Sequence, residues 1–308
     1  MASKRNVDPS SLDSLQRTGE ILNDQLALYE GGHYYDCTFQ VAYQETTPKV
    51  FHCHKVILAR ASIVFAKMLY GDFSESSKDK DDPIKITNVE AHTFDLVMRY
   101  IYGGKTDFED VATACKVYRI SHHWLINSLM KVASEFLKYP SSEDAITVLD
   151  MYKACNDHSH SEKLLSIIAL NASKVLKSAA WLKTSLSTIL DILQLECLEV
   201  ESETELFKAL FAWGAADGVT GDNITDVDAI RAKTHDALKC IRFMTMKCEE
   251  FAELCTLDCA QLMTDNERFK VLLSINLADG SRLPQDFSKD RKCRNEFRTI
   301  GIGFEAIE

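Results

Sequence analysis

Apolar residues alternate with polar ones before residue 90 of this chain, and beyond Pro140 they form no convincing alternation. That change of period constrains the fold more than any other feature, because a period of two belongs to strands and a period near 3.6 to helices. Cys37, Phe39 and Val41 alternate with Thr38, Gln40 and Ala42, which predicts a strand with one buried face. Val50 to Cys53 predicts a second strand after the turn-like Tyr43 to Pro48, and Ile84 with Ile86 a short third one after Pro83.

Helical spacing fills the rest of this first half. Leu12, Leu15, Leu22, Leu26 and Tyr29 form one stripe, weakened at Gly19 and stopped by Gly31-Gly32. Ile57, Ala61, Val64, Phe65, Met68 and Leu69 predict a helix from Lys55 to Phe73, followed by the charged loop Ser74 to Asp82. Asn88 is placed to cap a helix that buries Phe94, Val97, Met98 and Ile101 and stops at Tyr102-Gly103-Gly104-Lys105. Two more helices, around Val111 to Ile120 and Trp124 to Leu137, close an α+β unit near residue 138.

Pro140 and the serines after it mark a boundary, since proline excludes the preceding residue from the helical region and serine favours a new cap. Helical faces alone follow: Ile146, Leu149 and Tyr152; Leu164, Ile167 and Ile168; Leu186, Ile189, Leu190 and Leu193. Ser202 with Glu205 reads as a capping box ahead of Leu206, Phe207, Leu210 and Trp213. The expected divisions are a disordered N-terminus over 1–11, an α+β domain over 12–138, an all-α helical-hairpin stack over 139–278, and a tail over 279–308. A chain of 308 residues, 46% of them hydrophobic, is long enough for both cores.

A net charge of −11 repels a phosphate backbone, so no nucleic acid is expected as partner. Met1 to Asn6 leads into no apolar secretory segment, and no apolar run approaches the roughly 20 residues of a membrane span. A soluble, intracellular protein is expected, with its ten cysteines as small hydrophobes in a reducing compartment. His52 and His54 flank Cys53 without a second pair to complete a metal site. Cys248, Cys255 and Cys259 share a helical spacing better suited to a core face, and Asp222, Asp226 and Asp228 lack the glycine and closing glutamate of a calcium loop. With no phosphate-cradling loop and no recognisable triad, the expectation is a protein that is not an enzyme and takes no cofactor or metal.

The run Tyr35 to Val41, then Phe51-His52-Cys53-His54-Lys55-Val56-Ile57-Leu58-Ala59, then Ser62 to Met68, resembles the core of the BTB (POZ) domain. Ile84-Lys85-Ile86 and Phe94 to Tyr102 continue the likeness. Leu198 to Glu203, Leu206 to Leu210 and Trp213 are similar to the BACK signature, with Ile241-Arg242-Phe243 in its following helix pair and Met244 where many relatives carry proline. The segment Arg291 to Phe297 is similar to the one that leads, in one BTB-BACK subfamily, into a β-sandwich PHR domain. The likeness covers roughly residues 12 to 275.

The resemblance implies a cytoplasmic adaptor, with the nucleus as a second location, that pairs with itself or another BTB protein and docks cullin-3, serving protein ubiquitination of an unknown substrate. In such domains the cullin motif is a hydrophobic residue, any residue, then glutamate, which Phe73-Ser74-Glu75 matches; Leu69, Tyr70 and Tyr118 match further contact positions. The bland alternative has Phe73 cover its own loop. Leu15, Leu22 and Leu26 would bury against a second copy, the alternative being packing within their own domain. Asp36 and Lys55 match an acid and base pair buried near the dimer interface of some BTB repressors, or else Asp36 serves the local backbone. A dimeric scaffold or transcriptional co-repressor without a ligase role remains the competing function.

Overall fold

The computed structural model describes residues 24–43, 47–216 and 227–294. The chain divides into two units, Met1–Tyr139 and Pro140–Glu308. In the first, the alternating run forms strand β1 (Cys37–Val41), central in a sheet of order β2-β1-β3. β2 (Lys49–Cys53) pairs with it antiparallel, Phe39 opposite Phe51, and β3 (Ile84–Ile86) pairs parallel, Phe39 opposite Ile84. The apolar face of the sheet feeds an aromatic core: Phe39 and Phe51 meet Phe94 at ring distances of 5.5 and 4.8 Å, and Trp124 meets Phe65 and Phe94 at 5.0 and 5.7 Å.

Six helices surround that sheet: α1 (24–30 in its described part), α2 (Lys55–Ala61), α3 (Ile63–Tyr70), α4 (Ala91–Ile101), α5 (Val111–His123) and α6 (Asn127–Phe136). The single helix expected from Lys55 to Phe73 is therefore two. Ser62 interrupts it in an extended conformation, its Oγ accepting the Val64 and Phe65 amides at 3.1 and 3.2 Å and donating to the Trp124 carbonyl at 2.5 Å. One side chain thus caps α3 and ties it to the loop before α6. Asn88 is not the cap of α4; Glu90 holds that position without a side-chain cap bond.

The second unit contains α7 (Ala145–Ala154), α8 (Ser161–Ala169), α9 (Ala172–Leu176), α10 (Ala179–Lys183), α11 (Leu186–Leu193), α12 (Glu203–Ala215), α13 (Val227–Leu238), α14 (Cys248–Leu254) and α15 (Asp265–Asn276). No strand occurs among its described residues. Trp181 and Trp213 satisfy their indole N–H groups on the carbonyls of Ala209 and Thr184, both at 2.8 Å, so the two largest side chains also fix interhelical register. The expected capping box at Ser202 is only half formed: Ser202 accepts the Thr204 amide, while Glu205 accepts the Glu201 amide instead of the cap's own. A complete box stands at Thr264 and Glu267. Cys248, Cys255 and Cys259 do not share a helix, because α14 ends at Leu254.

The segment expected as a tail is built into this unit as far as Arg294. Phe287 stacks on Phe243 at 5.6 Å, the Ser288 amide donates to the Lys239 carbonyl, and the Leu198 amide donates to the Arg294 carbonyl. Arg242 reaches this strap through the Lys292 carbonyl at 2.9 Å and the Asp290 carboxylate at 3.2 Å. Arg294 itself is buried, bonded to Glu203 and to the carbonyls of Leu195 and Cys240.

Candidate docking surface

Helix α3 ends at Gly71, where the backbone turns extended after its amide makes the last helical bond to the Lys67 carbonyl at 2.8 Å, an approach so close that a Cβ at Gly71 would run into that oxygen. The chain then bends through Phe73 into a 3₁₀ turn, Ser74–Ser77. The Phe73 carbonyl accepts two bonds from Ser76, from its amide at 3.1 Å and its hydroxyl at 2.7 Å. The Ser74 hydroxyl donates to the Glu75 carboxylate at 3.0 Å. With its backbone so occupied, the bend holds two aromatic side chains outward: Tyr70 is 60% exposed and Phe73 57%. Partial desolvation, then the Asp36 carboxylate, raises the Tyr70 phenol above its ordinary value.

The charged loop after the turn is laid against β1. The Thr38 hydroxyl donates to the Lys80 carbonyl at 2.5 Å and the Tyr35 hydroxyl to Asp81 at 3.3 Å, while Lys80 extends over the Tyr35 ring at 5.4 Å. Lys78 bonds both Asp82 and the Pro83 carbonyl at 3.0 Å. Thr38 is consequently buried although its strand parity points it away from the core, and no local pattern signals this.

The residues matched to cullin contacts divide in two. Tyr70, Phe73 and the half-buried Glu75 lie together at the bend, whereas Leu69 and Tyr118 are 1% and 3% exposed and belong to the interior. A buried Leu69 holds α3 on the core and offers no surface to a partner.

The residues assigned to a dimer interface also divide. Leu15 and Leu22 lie outside the described residues. Leu26 packs against the core of its own unit, beside Tyr29, whose hydroxyl donates to Asp95 at 2.8 Å and whose ring stacks on Tyr102 at 5.0 Å. Within the single chain, Asp36 is exposed and accepts the Lys55 backbone amide at 2.7 Å, capping α2 from the residue before β1, while Lys55 Nζ turns to the Ser76 carbonyl at 3.5 Å. The pair joins the start of α2 to the bend.

His52 and His54 do not share a site. His52 is exposed beside the Tyr35 ring at 4.2 Å; His54 is buried, donating from Nε2 to the His33 carbonyl at 2.8 Å and accepting the Tyr102 hydroxyl at Nδ1 at 2.9 Å. Among the described residues no cluster of three metal-ligating side chains occurs, and no helix is long and apolar enough to cross a membrane.

Two family models match the chain: the BTB/POZ domain over residues 26–141, and BACK, "BTB And C-terminal Kelch", over 145–256. BTB/POZ domain-containing protein 6 of Xenopus tropicalis is 28% identical over 201 residues, covering 65% of this chain and 37% of that protein. BTB/POZ domain-containing protein 3 of Homo sapiens is 28% identical over 242 residues, covering 78% of this chain and 44% of its own length. The chain thus spans less than half the length of these curated relatives. Among solved structures, the BTB domain of zebrafish PATZ1 is 17% identical over 44% of this chain and 98% of that one, with a TM-score of 0.32, values that bear on neither fold nor function here.

Proposed function

This chain is a BTB-BACK protein, and from that premise we propose that it is a substrate-recognition adaptor of a cullin-3 ubiquitin ligase, pairing through its BTB half in the cytoplasm or nucleus. Proteins with these two domains are generally adaptors or scaffolds, not enzymes. The observation that supports the ligase reading is the Gly71 bend, which presents Tyr70 and Phe73 to solvent on a turn closed by the two Ser76 bonds to the Phe73 carbonyl. Exposed aromatics on a rigid support lose little entropy on docking and supply most of the energy of a small interface. Affinity purification of the chain and of its Phe73→Ala, Glu75→Ala variant tests the reading: cullin-3 should be recovered with the first and lost with the second.

A scaffold without a ligase role is the second reading, favoured by the burial of Leu69 and Tyr118, which removes two of the five matched contacts. The absence of cullin-3 from the wild-type purification would make that the better account.

A further inference from the structure

We infer that Thr38 and Tyr35 are positioning residues for the Phe73 bend, acting through the loop that they clamp to the first strand. The inference rests on the cullin-3 reading of that bend and says what sets its affinity. Phe73 and Tyr70 are more than half exposed, so packing around their own rings does little to hold them in place. Upstream, the bend is fixed by α3 and Gly71. Downstream, it continues into a polar stretch with few apolar side chains, Ser74 to Asp82, whose composition alone would leave it mobile.

Lys55 on the Ser76 carbonyl and Lys78 on Asp82 and the Pro83 carbonyl restrain it in part, and two hydroxyl groups of β1 and its approach tie it to the sheet, Thr38 on the Lys80 carbonyl and Tyr35 on the Asp81 carboxylate, with Lys80 folded over the Tyr35 ring. The burial of Thr38 marks this as a packed contact. A buried hydroxyl left without its partner carries a desolvation cost, so the loop and the strand hold each other. Ordering a freed segment costs on the order of 1 kcal/mol per residue, and any partner that docks on the bend would have to meet that cost. The clamp meets it in advance.

The test measures cullin-3 affinity of the full chain, the oligomeric state, and amide exchange over residues 74–83 for wild type, Thr38→Val, Thr38→Ser and Tyr35→Phe. Thr38→Val keeps the shape and removes the hydroxyl; Thr38→Ser restores it; Tyr35→Phe deletes one solvent-side hydroxyl and leaves the fold in place should the valine variant not tolerate burial. The expected result is at least a fivefold loss of affinity for Thr38→Val and a smaller loss for Tyr35→Phe. Faster exchange confined to 74–83, recovery in Thr38→Ser and an unchanged oligomer should accompany it. A purely structural role would instead lower the melting temperature and spread the exchange across the sheet. Wild-type binding with equal affinity in Thr38→Val and Tyr35→Phe overturns the inference and leaves the adaptor reading standing. A wild type without affinity for cullin-3 overturns both.

Discussion

Arg294 lies against the first turn of α12 with its Nε 2.7 Å from the Glu203 carboxylate, a buried ion pair between residues 91 positions apart. Glu203 also accepts the Arg242 amide at 2.9 Å, and Arg294 donates to two carbonyls, so both charges are compensated without water. Removing one partner strands the other.

Arg294→Met is therefore expected to destabilise the second unit by about 3–5 kcal/mol, the usual cost of leaving a buried charge unpaired. Urea unfolding followed by tryptophan fluorescence reads the effect, since Trp181 and Trp213 both lie in that unit. Truncation after Asp279 should cost at least as much, because it also removes Phe287 from Phe243.

Phe73→Ala with Glu75→Ala should weaken cullin-3 binding about thirtyfold, from a loss of about 2 kcal/mol for a central aromatic anchor at 1.4 kcal/mol per decade. Neither side chain holds the core, so the melting temperature should not move. Calorimetric titration beside a thermal scan separates the two outcomes.

Leu15→Asp with Leu22→Asp should convert a dimer to a monomer by light scattering. These two positions are the better test, because Leu26 packs on its own core and its replacement would confound dissociation with unfolding.

Thiol reactivity should divide the cysteines by burial. Burial, with Asp36 next in effect, pushes the Cys37 thiol up to about 12, and burial carries Cys53 well above its ordinary value. The exposed Cys293 should alkylate in the native protein at pH 8, whereas Cys37 and Cys53 should react only in denaturant. Peptide mass spectrometry reads the order.

Glu205 supplies an acid-dependent contribution. Burial opposes its charge, but Lys177 at 3.0 Å, the Glu201 amide and the Ser173 hydroxyl together hold its carboxyl below the ordinary value. A carboxyl depressed in the folded state stabilises above the unfolded pKa of about 4.3, and that stabilisation is lost as the pH falls through the lower folded value. The difference in melting temperature between wild type and Glu205→Gln should accordingly be present at pH 6 and shrink toward pH 3.

The α+β domain followed by an all-helical one was legible in the sequence, because β1 and the later helical faces have clean periods. The split at Ser62 was not: Ile57, Ala61, Val64 and Phe65 keep helical spacing across it, and a single extended residue scarcely shifts the phase. Nor could local patterns show that Thr38 is buried, since its partner is a carbonyl 42 positions on. Arg294 was hidden for the same reason, one of four cations over residues 289–294, in an aperiodic segment, whose acid lies in a helix 91 positions away. At the candidate surface, Phe73 and Glu75 were legible through the family likeness; the burial of Leu69 and Tyr118 depends on how α3 and α5 rotate onto the core, which spacing leaves open.

The mixed sheet also sets an order of assembly. Seven residues of chain separate β1 from its antiparallel partner, but its parallel partner β3 arrives only after α2, α3 and the clamped loop. Closing that longer loop costs more chain entropy before any ladder bond rewards it, so the β1–β2 ladder is expected to form before β3 pairs. Substitutions at Ile84 or Ile86 should then leave refolding rates nearly unchanged and act on the unfolding limb of the chevron, making the third strand a determinant of how long the native state survives once it has formed.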